Sequence, residues 1–461
     1  MERIHLIGIG GSGLSAIARL LAEQGVSVSG SDRAESPFTS ELRAMGIPVF
    51  IGHAAENISG ATLVVRSSAI PEDNPEVMAA KQAGIPVLKR AEFLEKWLKP
   101  YQVIAVAGTH GKTTTTAMIA WMLSSLAQNP SYIIGGVARD LHANAHAGKG
   151  SLFVIEADEY DRMFLGLHPH IAVITYLEHD HPDCFPTMAE YTRAFQDFIQ
   201  QIQPDGALLL NGDHPLTREL GRSAPKGVRV LTYGEGEENT YFLKHPTVNS
   251  RGGFSADIWK QMPDGENRRM LHLDLQVPGK HNLLNALAAL AVADQLELMP
   301  GPAAEALHLF HGTGRRFEVR GEANGVVLID DYAHHPTEIR TTLAAARARY
   351  PERRIWAVWQ PHTYSRTQTL MKEFCQAFDD ADAVLVLEIY AAREKNPGFS
   401  AREVVQRMKH PEAVFQPTLE AARNYLLDRV QPGDVVLVLS AGDADALTAE
   451  LLDVLSQGRK G

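Results

Sequence analysis

The chain opens on an alternation of apolar strand and amphipathic helix. In "RIHLIGIGGSGLSAIARLLAEQG", Ile4, Leu6 and Ile7 suit a buried strand, and Leu14, Ile17, Ala18 and Leu21 then recur at helical spacing on one face. Gly25 marks the helix stop. A second unit of the same kind is "VIAVAGTHGKTTTTAMIAWMLSSL", with Met118, Trp121, Met122 and Leu126 as its buried stripe. A third begins "GVVLIDDYAHHPTEIRTTLAAARARY" and continues through the strands "RIWAVW", "AVLVLEIY" and "DVVLVLS". Such alternation predicts parallel sheets covered by helices, with ligands beyond the carboxyl ends of the strands. Between Tyr241 and Leu275 the pattern breaks: "FSADIW" and "MLHLDLQV" read as antiparallel strands attached to the central domain. The expectation is an α/β protein of three domains, residues 1–99, 100–311 and 312–461, with boundaries near Pro100 and Gly312.

Bulk properties narrow the class. A chain of 461 residues exceeds one ordinary core, and 45% hydrophobic with 21% charged residues suits a soluble globular protein. A net charge of −11 without a basic stretch gives no electrostatic reason to expect nucleic acid. Cys184 and Cys375 lack metal spacing and read as buried free thiols. No apolar run approaches the ~20 residues of a membrane helix, and "MERIHLIGIGG" lacks the features of a signal peptide. A cytoplasmic protein without membrane insertion is expected.

Two glycine loops carry the candidate chemistry. Gly8, Gly10 and Gly13 satisfy G-x-G-x-x-G between strand and helix, and Asp32 ends the next strand. Backbone N–H groups there can approach a diphosphate while the acid accepts from a ribose hydroxyl. The loop alone does not distinguish NAD from a UDP-sugar. In the second loop, Gly108 and Gly111 let the backbone wrap phosphate oxygens, Lys112 can neutralise charge and Thr113 offers a hydroxyl to Mg²⁺. Only two residues separate its glycines, so motor work, substrate phosphorylation and carboxylate activation all stay open. Acids gather at two strand ends: Glu156, Asp158, Glu159 and Asp161, then Glu178, His179, Asp180, His181 and Asp183. Spacing does not decide which of them binds metal. A zinc hydrolase reading of His179 and His181 lacks an H-E-x-x-H helix or a cysteine pair.

Seven motifs in order resemble the Mur ligase family: G-T-H-G-K-T, E-A-D-E, E-x-D-H-x-D, H-N-x-x-N-A, R-R-F-E, D-D-Y-A-H-H-P-T-E-I and Q-P-H-x-Y-S-R. With the first loop they span Gly8 to Arg366. The resemblance implies a Rossmann-like UDP-sugar domain, a central P-loop ATPase-like domain with a mixed sheet, and a Rossmann-like C-terminal domain that closes over the nucleotide. It implies that ATP activates the carboxylate of UDP-N-acetylmuramate as an acyl phosphate, which the amine of L-alanine then attacks, in peptidoglycan precursor synthesis.

The resemblance also implies roles. Gly108, Thr109, His110, Gly111, Lys112, Thr113 and Thr114 would hold ATP phosphates, and Asn282 and Asn285 its adenine. Arg315 or Arg316 would meet phosphate and Asp331 the ATP ribose. Thr113 and Glu156 would hold one Mg²⁺, and Glu156 with His181 a second, although nitrogen departs from magnesium's oxygen preference. Gly10, Ser12, Gly13, Leu14 and Ser15 would face the UDP diphosphate, with Asp32, His53, Ser67, Ser68 and Ala69 on the uridine side. Tyr332, His334, His362 and Arg366 would surround the alanine, with His334 a candidate base. His335 before Pro336 reads as a helix start, and "SAGDAD" (Ser440 to Asp445) as a plain loop. Where some alanine-adding members carry arginine after Q-P-H, this chain has Thr363. A monomer or homodimer is expected. The rival readings are a recycling ligase that adds a ready-made tripeptide, a Rossmann oxidoreductase and a non-catalytic nucleotide-binding regulator.

Overall fold

The strand–helix alternation resolves, in the computed structural model, into three separate sheets. The structure describes residues 3–182, 184–392 and 394–457. The first sheet holds β1 (Arg3–Ile7), β2 (Ser27–Asp32), β3 (Val49–Ile51), β4 (Leu63–Arg66) and β5 (Val87–Lys89), all parallel, in the order β3-β2-β1-β4-β5. The strand order reverses between β1 and β4, the kind of switch point at which open α/β sheets place ligands. The glycine loop follows β1, Asp32 ends β2, and Ser67 follows β4.

The second sheet has ten strands: β6 (Gln102–Ala107), β7 (Ser131–Ala138), β8 (Ala143–His146), β9 (Leu152–Glu156), β10 (Ile171–Ile174), β11 (Ala207–Asn211), β12 (Arg229–Gly234), β13 (Tyr241–Val248), β14 (Phe254–Gln261) and β15 (Asn267–Asp274). Their order is β15-β14-β13-β12-β11-β10-β6-β9-β7-β8. The pairs from β7 and β9 through β6 and β10 to β13 are parallel, and β8 is antiparallel to β7. The two strands expected between Tyr241 and Leu275 are present as β14 and β15. Tight turns join β13 to β14 and β14 to β15, the Asn249 N–H donating to the Gly253 carbonyl at 3.0 Å and the Met262 N–H to that of Glu266 at 2.8 Å.

The third sheet holds β16 (Glu318–Ala323), β17 (Val326–Asp331), β18 (Ile355–Gln360), β19 (Ala383–Val386), β20 (Ala413–Phe415) and β21 (Val435–Ser440), in the order β16-β17-β21-β18-β19-β20. Only β16 runs antiparallel to its neighbour. Every strand residue of β17, β18 and β21 is buried, as expected of a sheet covered on both faces.

The described chain groups into two compact units. One comprises residues 1–243, 258–271 and 285–307; the other comprises 244–257, 272–284 and 308–461. In the first unit the sheets of β1–β5 and β6–β12 share a core. Trp97, from the helix Arg90–Trp97, sets its ring edge-on to Phe153 of β9 at 5.7 Å, and Phe164 stacks on Phe198 at 4.8 Å.

Two sequence expectations need correction. The helix Lys112–Ser125 has no single stripe, since nearly every residue from Thr113 to Leu123 is buried while Trp121 and Leu126 are only partly so. It packs on β6, β7 and β9, and the Trp121 indole N–H donates to the Ala306 carbonyl at 2.7 Å, so burial comes from several sides. Cys184 and Cys375 are free thiols as expected, but half-buried rather than buried.

Candidate active site

The phosphate loop sits between β6 and the helix Lys112–Ser125, and its glycines are dictated by space. Gly108 has φ +129° and Gly111, the helix N-cap, φ +84°. A Cβ at Gly108 would lie 2.3 Å from the Thr175 hydroxyl and 2.9 Å from the Tyr176 carbonyl. Non-glycine residues are disfavoured at such φ as well. Thr109 closes the loop from within: its hydroxyl donates to the Glu178 carbonyl at 2.7 Å and accepts from the Glu178 N–H at 2.9 Å. His110 reaches Glu178 through Nε2 at 3.1 Å.

Lys112 lies 3.0 Å from both carboxylate oxygens of Glu159, a wholly buried residue, and donates to the Gly108 carbonyl at 2.5 Å. Burial pulls the ammonium pKa down, but Glu159, Glu156 and Asp158 more than offset it, so the pKa stands above its ordinary value. The lysine is a cation held in place at neutral pH. Tyr191 donates its hydroxyl to Glu159 at 2.9 Å, and burial followed by the charge of Glu159 raises its phenol pKa.

Glu156, at the end of β9, accepts from the Thr113 hydroxyl at 3.1 Å and from the Gly135 N–H of β7 at 2.7 Å. Thr113 and the Glu156 carboxylate form an oxygen donor set of the kind magnesium prefers. His181 adopts φ +53°, with Nε2 3.7 Å from Asp180 and 3.9 Å from Glu159 and with Tyr160 against its ring at 5.2 Å. Asp183 lies outside the described residues. The helix His281–Gln295 carries Asn282 and Asn285 three positions apart, hence on one face. Asn282 donates to the Pro278 carbonyl at 2.6 Å, while Asn285 accepts from Thr115 at 3.1 Å and its Oδ1 would be 2.8 Å from a Cβ at Gly111.

Around the first loop, Asp32 accepts from the Gly10 N–H at 2.8 Å and so shapes the turn itself. Ser12 is exposed at the helix start, Leu14 puts its side chain into the core, and the Ser15 hydroxyl donates back to the Ser12 carbonyl at 3.0 Å. Leu14 and Ser15 thus have backbone rather than side chains to offer. Ser67 crosses close to the loop, 3.0 Å from where a Gly8 Cβ would be, and accepts from the Ala69 N–H at 3.4 Å; Ser68 lies in the same turn. His53 contacts Ser31 and Glu76.

Sequence reasoning missed Arg90. Its Nη1 occupies the space of a Gly13 Cβ, only 1.9 Å from that position, and its Nη2 is 3.5 Å from Asp158. A guanidinium therefore joins the first glycine loop to the acid cluster after β9. Nothing around "LKRAE" signals this, because the contact depends on how two sheets pack. Gly135 was missed for the same reason.

In the other unit, the candidates lie at the carboxyl ends of the adjacent strands β17, β21 and β18. Arg315 donates to the Ser440 carbonyl at 2.8 Å, lies 3.5 Å from Asp330 and 3.7 Å from Asp445, and covers the Tyr332 ring at 5.2 Å. Arg316 also sits over Tyr332, at 5.3 Å, with Glu338 3.7 Å away. The "SAGDAD" loop is a structural turn: Gln360 donates to Asp443 at 2.7 Å and accepts from Ser440 at 2.7 Å. Asp331 accepts from the N–H groups of Phe317 and Ala333 at 2.6 and 2.7 Å; burial above all pushes its pKa up to about 6.

The histidines divide by role. His335 caps the helix Pro336–Arg349, accepting from the Thr337 N–H at 3.3 Å. The Nδ1 of His334 is 2.9 Å from the Tyr332 carbonyl. A carbonyl only accepts, so Nδ1 bears the hydrogen and the neutral ring keeps its lone pair on Nε2. Arg366, buried, donates to Nδ1 of His362 at 3.2 Å, and the His334 and His362 rings stand 5.7 Å apart. Thr363 takes φ +66° at the start of the helix Tyr364–Thr369 and offers no charge in place of arginine. His281 is an addition: burial, then Arg316, lowers its pKa to about 4, so it is neutral.

Family models match along the chain: "Mur ligase family, catalytic domain" at residues 3–102, "Mur ligase middle domain" at 106–293 and "Mur ligase, glutamate ligase domain" at 315–442. A UDP-N-acetylmuramate–L-alanine ligase of Rubrobacter xylanophilus is 44% identical, covering 98% of this chain and 99% of its own. The protein of that name from Syntrophomonas wolfei is 42% identical, over 98% and 97%. The crystal structure of UDP-N-acetylmuramate-alanine ligase from Thermotoga maritima superposes with a TM-score of 0.83 at 31% identity over the whole of both chains.

Two outcomes follow from this geometry. An alanine at position 135 would bring its Cβ to 2.4 Å from Glu156 Oε2 and displace the carboxylate. A hydrogen bond to a charged group is worth about 1.5–3 kcal/mol, so Gly135→Ala should lower ATP-dependent turnover by about tenfold or more, measured as steady-state rate at saturating substrates; an unchanged rate would detach Glu156 from the site. Burial above all raises the Asp330 pKa from 3.8 to about 7, with Arg315 opposing. Below pH 4 the acid is protonated both folded and unfolded. Between pH 4 and 7 the unfolded chain ionises while the folded protein keeps its proton, so this stabilisation is lost as pH rises, by at most about 4 kcal/mol. Asp330→Asn should flatten the fall in melting temperature across that window.

Proposed function

The chain belongs to the Mur ligase family, and we propose on that premise that it joins L-alanine to the carboxylate of UDP-N-acetylmuramate at the expense of ATP. The observation that carries the reading is the cluster at the ends of β6 and β9, where a half-buried, charged Lys112 and Thr113 open one helix behind a glycine loop and Glu156 meets them from β9. That is the apparatus of phosphoryl transfer, in which positioning and charge neutralisation do most of the catalysis.

The reaction runs in two steps. A carboxylate oxygen of the sugar attacks the γ-phosphorus of ATP, and the bond to the β-phosphate oxygen breaks with release of ADP. The alanine nitrogen then attacks the acyl carbon, the C–O bond to phosphate breaks, and an amide and inorganic phosphate result. Lys112 holds its charge against the β- and γ-phosphates, and the N–H groups of the 108–114 loop orient them. Thr113 and Glu156 would hold Mg²⁺, with His181 and Glu156 at a second ion, and the metal would neutralise charge as phosphate passes to the acid. Asn282 and Asn285 are assigned to adenine, Asp331 to the ribose, and Arg315 or Arg316 to phosphate.

The UDP-sugar is assigned to the 10–15 loop with Asp32, His53, Ser67, Ser68 and Ala69. Alanine is assigned to Tyr332, His334, His362 and Arg366, where Arg366 suits a carboxylate. The amine must lose a proton before attack, and the His334 Nε2 is the acceptor we assign to it. Functional domains are placed at 1–99, 100–311 and 312–461. No helix among the described residues is long and apolar enough to cross a membrane, and the cytoplasm is the proposed compartment.

ADP release should require UDP-N-acetylmuramate, Mg²⁺ and L-alanine together. Assayed side by side, alanine should outpace glycine, serine and a ready-made tripeptide; faster turnover with the tripeptide overturns the substrate assignment. Lys112→Ala should abolish turnover and leave UDP-sugar binding intact by calorimetry, and a wild-type kcat in that variant removes Lys112 from the mechanism.

A further inference from the structure

Beneath the first glycine loop lies a buried carboxylate that no part of the mechanism uses. Glu76, on the first turn of the helix Pro75–Gln82, is completely buried. Its Oε2 accepts from the Ser31 hydroxyl at 2.5 Å and lies 3.4 Å from His53 Nδ1 and 3.7 Å from His5 Nε2. Its Oε1 accepts from the Asn57 amide at 2.5 Å and the Ala54 N–H at 3.4 Å. Burial alone would raise the carboxyl pKa, but His5, Ser31 and Asn57 outweigh it and hold the value at about 2. The group is an anion, and the basic side chains within 4 Å of it among the described residues are the two histidines, His5 at 3.7 Å and His53 at 3.4 Å.

This arrangement dictates where His53 carries its proton. Ser31 has one hydroxyl hydrogen, and the short bond to Glu76 takes it. His53 Nδ1, 3.1 Å from the Ser31 oxygen and 3.4 Å from Glu76, therefore faces two acceptors and must itself be the donor. A neutral imidazole has a single N–H, so Nε2 is left as an acceptor. His5 is engaged separately, its Nδ1 3.0 Å from the Ser29 hydroxyl, and is wholly buried. His53, with 18% of its side chain exposed, reaches the surface, unlike the wholly buried Glu76 and His5. It does so beside Asp32, whose carbonyl accepts from the Gly52 N–H at 2.8 Å.

We propose that Glu76 is a positioning residue that fixes the His53 tautomer, so that the ring offers an acceptor nitrogen to the N3–H of the uracil base. This rests on the reading of the first sheet as the UDP-sugar site. The N3 position separates the bases: uracil donates there, whereas cytosine presents an acceptor that would face the Nε2 lone pair. Glu76 thus acts on base selectivity through His53 without touching the ligand.

The test uses the full chain at pH 8. Nitrogen-15 NMR on histidine-labelled protein, with His53→Gln identifying the signal, should show His53 protonated at Nδ1. Calorimetry should show UDP preferred over CDP by about tenfold or more, the ratio that about 1.4 kcal/mol produces. In Glu76→Gln the new amide can donate to Nδ1, so the proton should move to Nε2 and the UDP preference should collapse, with the KM for ATP unchanged. Ser31→Ala keeps the direct Glu76 contact, and should keep both the tautomer and the preference even if Glu76→Gln does not fold. Protonation at Nε2 in the wild type overturns the tautomer lock, as does an unchanged UDP preference in Glu76→Gln. Protonation at Nδ1 without UDP binding overturns instead the nucleotide reading on which the ligand half depends.

Discussion

A single half-buried cation, Lys112, organises the catalytic end of the first unit. The glycine loop takes Lys112 partly out of water, which by itself lowers an ammonium's pKa. Glu159, Glu156 and Asp158 offset this from the end of β9, so β6 and β9 must be neighbours with their carboxyl ends level. Tyr191 fixes Glu159 from a helix further on, and Thr175, just past β10, donates to the His110 carbonyl across the loop. Removing one element would leave a charge or a polar group unpaired. The parallel order β10-β6-β9 is the framework such a lysine requires.

The same logic recurs on each sheet with different chemistry. At β1, β2 and β4 the crowding of strand ends is relieved by Gly8 and tied by Asp32 and Ser67. At β17, β21 and β18 the ends carry a pair of raised carboxyls and two arginines stacked on Tyr332. These arginines are not loose surface charges: Arg315 is fixed by the Ser440–Asp445 turn, which Gln360 in turn holds shut. That turn binds an arginine of its own chain.

What could be read from the sequence follows from distance along the chain. The loops, their glycines and the acids behind them are local, so "GTHGKTT", "EADEYD" and "DDYAHHPTEI" announce strand ends and their chemistry directly. His335 as a cap was legible because proline follows it. Contacts made by sheet order were not legible. Gly135 lies 21 residues from Glu156 and meets it only because β7 pairs with β9. Arg90 and Glu76 look like ordinary surface charges in "LKRAE" and "NPEVM", and only packing shows one against a glycine loop and the other buried. The helix after the phosphate loop misled for a related reason, since periodicity assumes one buried face and this helix has several.

Gly108 has a consequence for how the site can change over generations. Any single-base change that replaces its codon's amino acid introduces a Cβ, and that atom would collide with Thr175 while the backbone sat at a dihedral suited to glycine alone. Escape by point substitution is closed there on two independent grounds. A drug that drew its contacts from this stretch of main chain, rather than from side chains, would rest on a surface the cell has few routes to alter.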